Sequence, residues 1–597
     1  LIEANTSITG TNDIRLEGSR VEVRNANITA GNFSVNATTR GFEISNATVN
    51  ATDNITLTAT TTGSNASGVY LKDANLSSTN GSIIGTGTAT AGSVAVHLDN
   101  NVTLNASQGD ITLTGSSDTG SGVVIRNATL NASIGDIALN GAVNSTYVAT
   151  GDYQRYGGGV VLTGDNNFDG KNINVNGSAQ SGDTRVAGVV FHNNVESNLN
   201  VSGNLSIQGD GNNVAGVNVV YRDVNINMAS GALNINGVST NSSGVFFSGV
   251  HGQYATTKLN VNLNNSDFTL SGNGGSGGVT GYTYQNQFIS GISVQGKGNV
   301  TITGNSTDND GVALHRLDNS NLTGMLKVDG FSENGNGVVA SLNSDWHLQN
   351  AVITGTSEYG NGITIHAPKG VYSPNIDLGN TTLTGTTVNG SAGVNIDGDN
   401  VKLTNGSISG VASSQGGGVS LTGGSNYSVS GVNVTGSSAN GTGISVNGSL
   451  EVGGNSTLNG TSTGNGTGVQ IGGNLTSNGG ASITGTASSG DGVQVSGNVE
   501  ATGGNVSVTG NSDSGSGVNI QGNTSLENTM VTGSTQTGTG VNISGNLTNT
   551  GSSSVTGTSQ QGGTGVDLGG NVSGGSVTGS SATGSGVAVS GSSTTIN

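Results

Sequence analysis

The sequence predicts an all-β fold, a single-stranded parallel β-helix (β-solenoid) of roughly 24 rungs. Three observations predict it: an anchor recurring about every 25 residues, period-two alternation between anchors, and glycine-rich corners joining the pieces. The anchor is Gly-Val-x-Ile and its variants. It is clearest at Gly468-Val469-Gln470-Ile471, Gly492-Val493-Gln494-Val495, Gly517-Val518-Asn519-Ile520, Gly540-Val541-Asn542-Ile543 and Gly565-Val566-Asp567-Leu568. Upstream it returns at Ile444, Val419, Val394, Ile363, Val338, Val312 and Ile292, then more widely at Val245, Val217, Val189 and Val160, and again at Val123 and Val69.

Within one unit three short pieces follow each other: Val469 and Ile471 alternate with polar neighbours, Leu475 follows Gly473-Asn474, and Ile483 lies in Ser482-Ile483-Thr484-Gly485. Alternation of period two places one or two apolar side chains of each piece on one face, which is the signature of a strand. Strands this short cannot bury a core alone, but stacking each turn on the next covers every edge and builds a thin, continuous one. Helical repeats need helix-period leucines that this sequence lacks, and collagen needs glycine at every third position with abundant proline, whereas there are 2 prolines here.

Composition narrows the function. With no cysteine, disulfide stapling and thiolate metal sites are excluded. The net charge of -19 reflects scarcity of bases, none of which follows Lys402, so binding nucleic acid by phosphate neutralisation is not expected. No apolar run reaches the roughly 18 residues of a membrane-spanning helix. The chain opens in mid-pattern at Ile2 and Ile8, as expected of a mature form or an excised piece of something longer. Three zones of one solenoid are expected: regular rungs over 1–145, longer aromatic-rich rungs and loops over 146–387, and tight low-complexity repeats over 388–597.

No catalytic motif is present, and no cofactor is expected. The least bland acids are Asp165 and Asp169, followed by Asp183 and Asp210 with Arg185 and His192 nearby. Glycosidic hydrolysis needs two carboxyl groups across one bond, and this spacing does not force a pair onto one face. They are read as solvated loop residues. The histidines, His97, His192, His251, His315, His347 and His366, lack paired metal-ligand spacing, so no metal site is expected.

The strongest chemical signal is Asn-x-Ser/Thr, present roughly forty times, about twice what composition gives. Glycosylation is expected at sites such as Asn27, Asn36, Asn46, Asn54, Asn440, Asn447, Asn459 and Asn465. Asn474, Asn498, Asn523, Asn546 and Asn571 each lie five residues after an anchor. They are expected to stack inside one corner as an amide-to-amide ladder that excludes sugars, Asn498 keeping the register without a sequon. Binding is expected in the aromatic zone, at Trp346, His347, Tyr282, Tyr284 and Tyr372, because a specific contact needs rungs that break the repeat.

The Gly-Asn-Val/Leu-Thr-like corners, runs such as Asn101-Val102-Thr103-Leu104-Asn105-Ala106-Ser107 and Gly109-Asp110-Ile111-Thr112-Leu113-Thr114, and the sequon density resemble the filamentous-haemagglutinin-like exoproteins of bacterial two-partner secretion, in particular the glycosylated high-molecular-weight adhesins. The resemblance implies a right-handed β-helix, secretion to the bacterial cell surface through an outer-membrane β-barrel partner, a cytoplasmic N-glycosyltransferase in one branch, and adhesion to a host-cell receptor or glycan. The Asn-Pro motifs of that family's secretion domain do not occur here. Passenger domains of single-chain autotransporters resemble the sequence closely too. The expected function is thus a secreted, non-enzymatic adhesin rod, the alternative being a polysaccharide-degrading β-helix of the tailspike or pectin-lyase type.

Overall fold

The computed structural model describes residues 2, 6–63, 66–145, 157–180, 186–192, 197–220, 223–248, 257–281, 283–284, 287–288, 290–314, 317–341, 346–347, 350–366 and 375–595. They form strands and turns with no helix, stacked in parallel as a β-solenoid of about 19 turns, consistent with a right-handed β-helix. Two compact units are distinguished, Leu1–Lys327 and Val328–Asn597.

Each turn contributes three strands, and each joins its own parallel sheet. In the second unit one turn consists of Val469–Ile471 in the anchor sheet, Leu475–Asn478 in the second sheet and Ala481–Ala487 in the third. In the first unit the corresponding strands are Val69–Lys72, Asn75–Ser78 and Ile83–Ala89. Register is strict. Val469, Val493, Val518, Val541 and Val566 pair in succession and are 0% exposed, so the anchors form one internal column as the sequence predicts.

The turn count falls short of 24 because several turns are longer than the tight repeat. Val123 pairs with Val160, 37 residues on, and Val245 with Val279, 34 residues on.

Two devices set the path of each turn. Strands of the third sheet read inward as apolar, apolar, glycine, then serine or threonine, as in Val506, Val508, Gly510 and Ser512. A Cβ on Gly510 would collide with the Gly517 carbonyl, immediately before the Val518 anchor, so two glycine columns face each other where the prism is narrowest. The hydroxyl column next to it closes the corner. Ser512 Oγ accepts the Gly515 N–H at 2.8 Å and donates to the Gly490 carbonyl of the preceding turn at 2.7 Å. Ser357, Thr387, Ser438 and Thr535 repeat both bonds, and the short polar side chain satisfies backbone groups that the corner would otherwise bury unpaired.

One face departs from the alternation. On the first unit's anchor sheet the strands Gly157–Thr163, Val186–His192 and Ala215–Val220 bury successive residues, because outward Val161 and Val190 pack with Ala187, Ala215, Val220, Val124 and Phe246 in a second apolar layer outside the prism. The aromatic zone is therefore largely core where its side chains are described: Phe168, Phe191, Phe247 and Phe268 are all buried.

Val518→Asp places an unpaired charge in the core, and Gly510→Ala drives a methyl into the Gly517 backbone. Each is expected to cost several kcal/mol. Thermal or denaturant unfolding should show both variants clearly less stable than outward Asn459→Ala, whose effect is expected within about 0.5 kcal/mol.

Candidate functional site

In the first unit, charged and aromatic side chains converge on the outer face of the anchor sheet. The outward position after each anchor carries Glu22, Glu43, Tyr70 and His97 in register, and the next outward position carries Arg24, Ser45, Lys72, Asp99 and Arg126. Neighbouring turns lie about 4.8 Å apart, so these form two short columns. Glu43 accepts a hydrogen bond from Arg24 at 3.0 Å and lies 3.8 Å from Arg20. Glu22 pairs with Arg20 and, at 3.3 Å, with Arg24. Farther on, Tyr70 Oη donates to Asp99 Oδ2 at 3.2 Å, and Arg126 Nε lies 3.5 Å from Asp99 Oδ1. The Tyr70 and His97 rings meet with centroids 5.2 Å apart.

Burial decides the protonation of these groups. His97, partly covered by its neighbours, is pushed down to about 4, with Arg126 adding to the shift and Asp99 opposing it. Burial and then the Asp99 carboxylate hold the Tyr70 phenol well above its ordinary value. At neutral pH the face therefore consists of a neutral imidazole, a neutral phenol, arginine-paired carboxylates and the Lys72 ammonium. Such a set offers hydrogen bonds and ring faces to a partner, with its carboxylates paired to arginines. The sequence did not single this face out; the signal is the repeated offset of charged residues from Val69 and Val123 and from Val21, Phe42 and Val96, which the register places in the same anchor column.

The aspartates read as solvated loop residues are exposed where described and stand apart, but Asp169 and Asp210 lie on strands and not in loops. Asp165 sits at a corner, with its N–H donating to Asn127 Oδ1 at 2.8 Å, Asp169 is on the outer side of the second sheet, and Asp210 on the outer side of the third. Asp183 and Arg185 lie outside the described residues. His192 stands on the anchor sheet 3.4 Å from Thr163 Oγ1, and burial lowers it to about 4. His366 lies 3.5 Å from Asp397. Among the described residues no group of three histidines or acids is placed to hold a metal.

Of the expected binding residues, Tyr282 and Tyr372 lie outside the described residues, and Tyr284 is described only as backbone, in a two-stranded antiparallel hairpin with Gln287–Phe288. Trp346 and His347 pair with Ile376 and Asp377 in the second sheet. One turn farther the Trp346 position is held by Leu403, which is buried. Outside that set, Phe331 is 42% and Tyr359 56% exposed in the second unit.

The asparagine column exists, with different atoms and a different setting from those expected. Asn498, Asn523, Asn546 and Asn571 each donate their backbone N–H to Oδ1 of the asparagine one turn earlier, at 2.8 to 2.9 Å. All five asparagines are exposed. The ladder is thus a backbone-to-side-chain chain on the outside of the corner, and Nδ2, the atom that carries a sugar, takes no part in those bonds. The reason for excluding sugars from this column falls. The first unit uses the same device ahead of the third sheet, through Asp13, Asn32, Asn54, Ser82 and Asp110. Amide-to-amide stacking occurs elsewhere, in Asn198, Asn225 and Asn260, at 3.1 and 2.9 Å. The sequon residues Asn27, Asn46, Asn54, Asn440, Asn447, Asn459 and Asn465 are exposed, and Asn36 is partly buried.

No protein-family model matches the sequence, and neither does any curated protein. The fold and its outer faces thus define a parallel β-solenoid, and the resemblance in repeat style remains an expectation about its kind.

Above about pH 6.5 His97 and His192 are neutral in both folded and unfolded chains. Between about 6.5 and 4 only the unfolded chain takes up their protons, so stability is expected to fall as pH drops through that window. Unfolding midpoints measured from pH 7.5 to 4 should show a slope that His97→Gln shallows. An unchanged slope would remove His97 from this account.

Proposed function

We propose that this chain is a secreted bacterial surface adhesin that binds host cells or glycans and is glycosylated at Asn-x-Ser/Thr. The observation that carries the reading is the pair Phe331 and Tyr359, aromatic side chains standing exposed on a solenoid surface rich in serine, threonine, asparagine and glycine. Exposed aromatics on a rigid scaffold stack on sugars or enter protein pockets at small entropic cost. They fall in the 146–387 zone, where the repeat is most interrupted. Exposure of the sequon asparagines supports glycosylation, which would solubilise a surface with few charges. Export through an outer-membrane β-barrel partner and sugar addition by a cytoplasmic N-glycosyltransferase belong to the same proposal and rest on the resemblance.

The alternative, a polysaccharide-degrading enzyme, draws on the Tyr70, His97, Asp99 and Arg126 face, where an imidazole, a phenol and a carboxylate meet. Release of reducing ends from polysaccharides, lost on His97→Gln, would favour it.

In a cell-adhesion assay, deleting the tight repeats from Val388 onward should leave binding largely intact. Shortening the segments 146–156, 249–256 and 367–374 and replacing Phe331 and Tyr359 by serine should abolish it; the opposite pattern overturns the assignment. Glycopeptide mapping of protein from its native host should find sugars at Asn447 and Asn459. With the corner asparagines exposed, Asn474, Asn523 and Asn546 are expected to be accessible as well. Bare asparagine at every exposed sequon would refute the glycoprotein reading.

A further inference from the structure

On the outer side of the third sheet in the first unit a shallow trough of about 470 Å³ runs across four consecutive turns. Its near wall is the in-register column Thr114, Asn140, Asn176 and Gln208. Two residues on, the next outward column carries small Ser116, Ala142 and Ser178 as the floor and Asp210 on the fourth turn. Asp118, Asn144, Gln180 and Asn212 stand beyond the lining, Asn144 Nδ2 donating to Ser116 Oγ at 3.0 Å and Asn212 Nδ2 to Gln180 Oε1 at 3.3 Å. The trough follows from side-chain size: a column of threonine and amides stands beside a small column over three turns, with Gly115, Gly141, Gly177 and Gly209 between the two, and Asp210 takes the small position on the fourth turn. Because the columns run from turn to turn, its long axis crosses the strands.

We propose that this trough binds a neutral glycan in extended conformation, lying along the stacking direction with its hydroxyls on the amide columns. This rests on the adhesin reading and adds to its aromatic contact a second site with a stated ligand class. Adjacent turns repeat at about 4.8 Å, close to the advance of one pyranose unit, so one amide set can serve each successive sugar. The amides retain hydrogen-bonding capacity. The bond from Asn176 Nδ2 to Asn140 Oδ1, at 2.9 Å, uses one of the two donors of Asn176 and one lone pair of Asn140. Asn176 and Gln208 are exposed along the wall, so a ligand reaches them without displacing protein. Among the described residues no cation lines the trough, and the one lining carboxylate is Asp210. Uronate-containing or sialylated chains therefore find no countercharge, whereas a neutral hydroxyl-rich chain finds donors and acceptors at every turn. Held amide columns on a stacked backbone are already ordered, so binding costs little protein entropy.

The test uses the full chain on an array of neutral and acidic oligosaccharides, followed by calorimetry with the best neutral binder. Ser178→Trp and Ala142→Trp fill the floor and should weaken binding at least tenfold. Asn176→Ala and Gln208→Ala, which add no bulk, should weaken it severalfold at an unchanged unfolding temperature. Ser77→Trp, on the outer side of the second sheet, should bind as the parent chain does. Retention of no neutral glycan, equal retention of acidic ones, or undiminished binding by the two alanine variants overturns the proposal. If the parent chain adheres to cells and Ser178→Trp adheres equally, the trough assignment alone fails; if the parent chain does not adhere at all, the adhesin reading fails.

Discussion

The close approach of two glycine columns is the constraint on which the rest of the fold depends. Where the third sheet runs toward the next anchor, Gly485 faces the Gly492 carbonyl, Gly510 that of Gly517 and Gly533 that of Gly540, with no room for a Cβ. That contact brings the third and anchor sheets close enough for two aliphatic side chains per anchor strand, as in Val493 and Val495 or Val518 and Ile520, to fill the interior. A serine or threonine beside it then closes the corner by bonding forward to Gly N–H and back to the preceding turn. Abundant glycine, serine and threonine, which in bulk suggest disorder, are here the residues the geometry requires.

Surface chemistry follows from the same stacking. An outward position repeated at every turn becomes a column, and a column of asparagine becomes a ladder, whether it bonds backbone to side chain, as at Asn498 and Asn523, or amide to amide, as at Asn225 and Asn260. Where the repeated positions are glutamate, arginine, tyrosine and histidine, the column becomes a charge-compensated face. Where they alternate between large amides and small residues, it becomes a trough. Function in such a molecule is therefore distributed along rows, and substituting one residue in a row changes one step of it.

Much of the fold was legible in the sequence, because the anchors repeat with a period that any in-register stack must keep. The turn count was not, since insertions such as the one between Val123 and Val160 lengthen a turn without adding one. The hydroxyl corner was readable in the Ser-x-x-Gly and Thr-x-x-Gly repeats, as in Ser512 to Gly515. The second apolar layer was readable in the doublets Val160-Val161 and Val189-Val190, which break strict alternation. The candidate sites were less legible. Phe168 and Phe268 look like surface aromatics in a polar sequence, yet one inward position per turn is wide enough to bury them. The setting of the corner asparagines depends on backbone direction, which composition does not encode.

The in-register stack itself is tested most directly by cross-linking, for which the cysteine-free chain is a clean background. Gln494 and Asn519 are register partners on adjacent turns, and Asn542 is the partner of Asn519 one turn farther on. The measurement is disulfide formation under mild oxidation in two double-cysteine variants, Gln494→Cys with Asn519→Cys and Gln494→Cys with Asn542→Cys. Parallel neighbours lie within the Cα separation a disulfide spans, and residues two turns apart lie beyond it. The account predicts near-complete intramolecular bonding in the first and none in the second; bonding in the second, or its absence in the first, would contradict it.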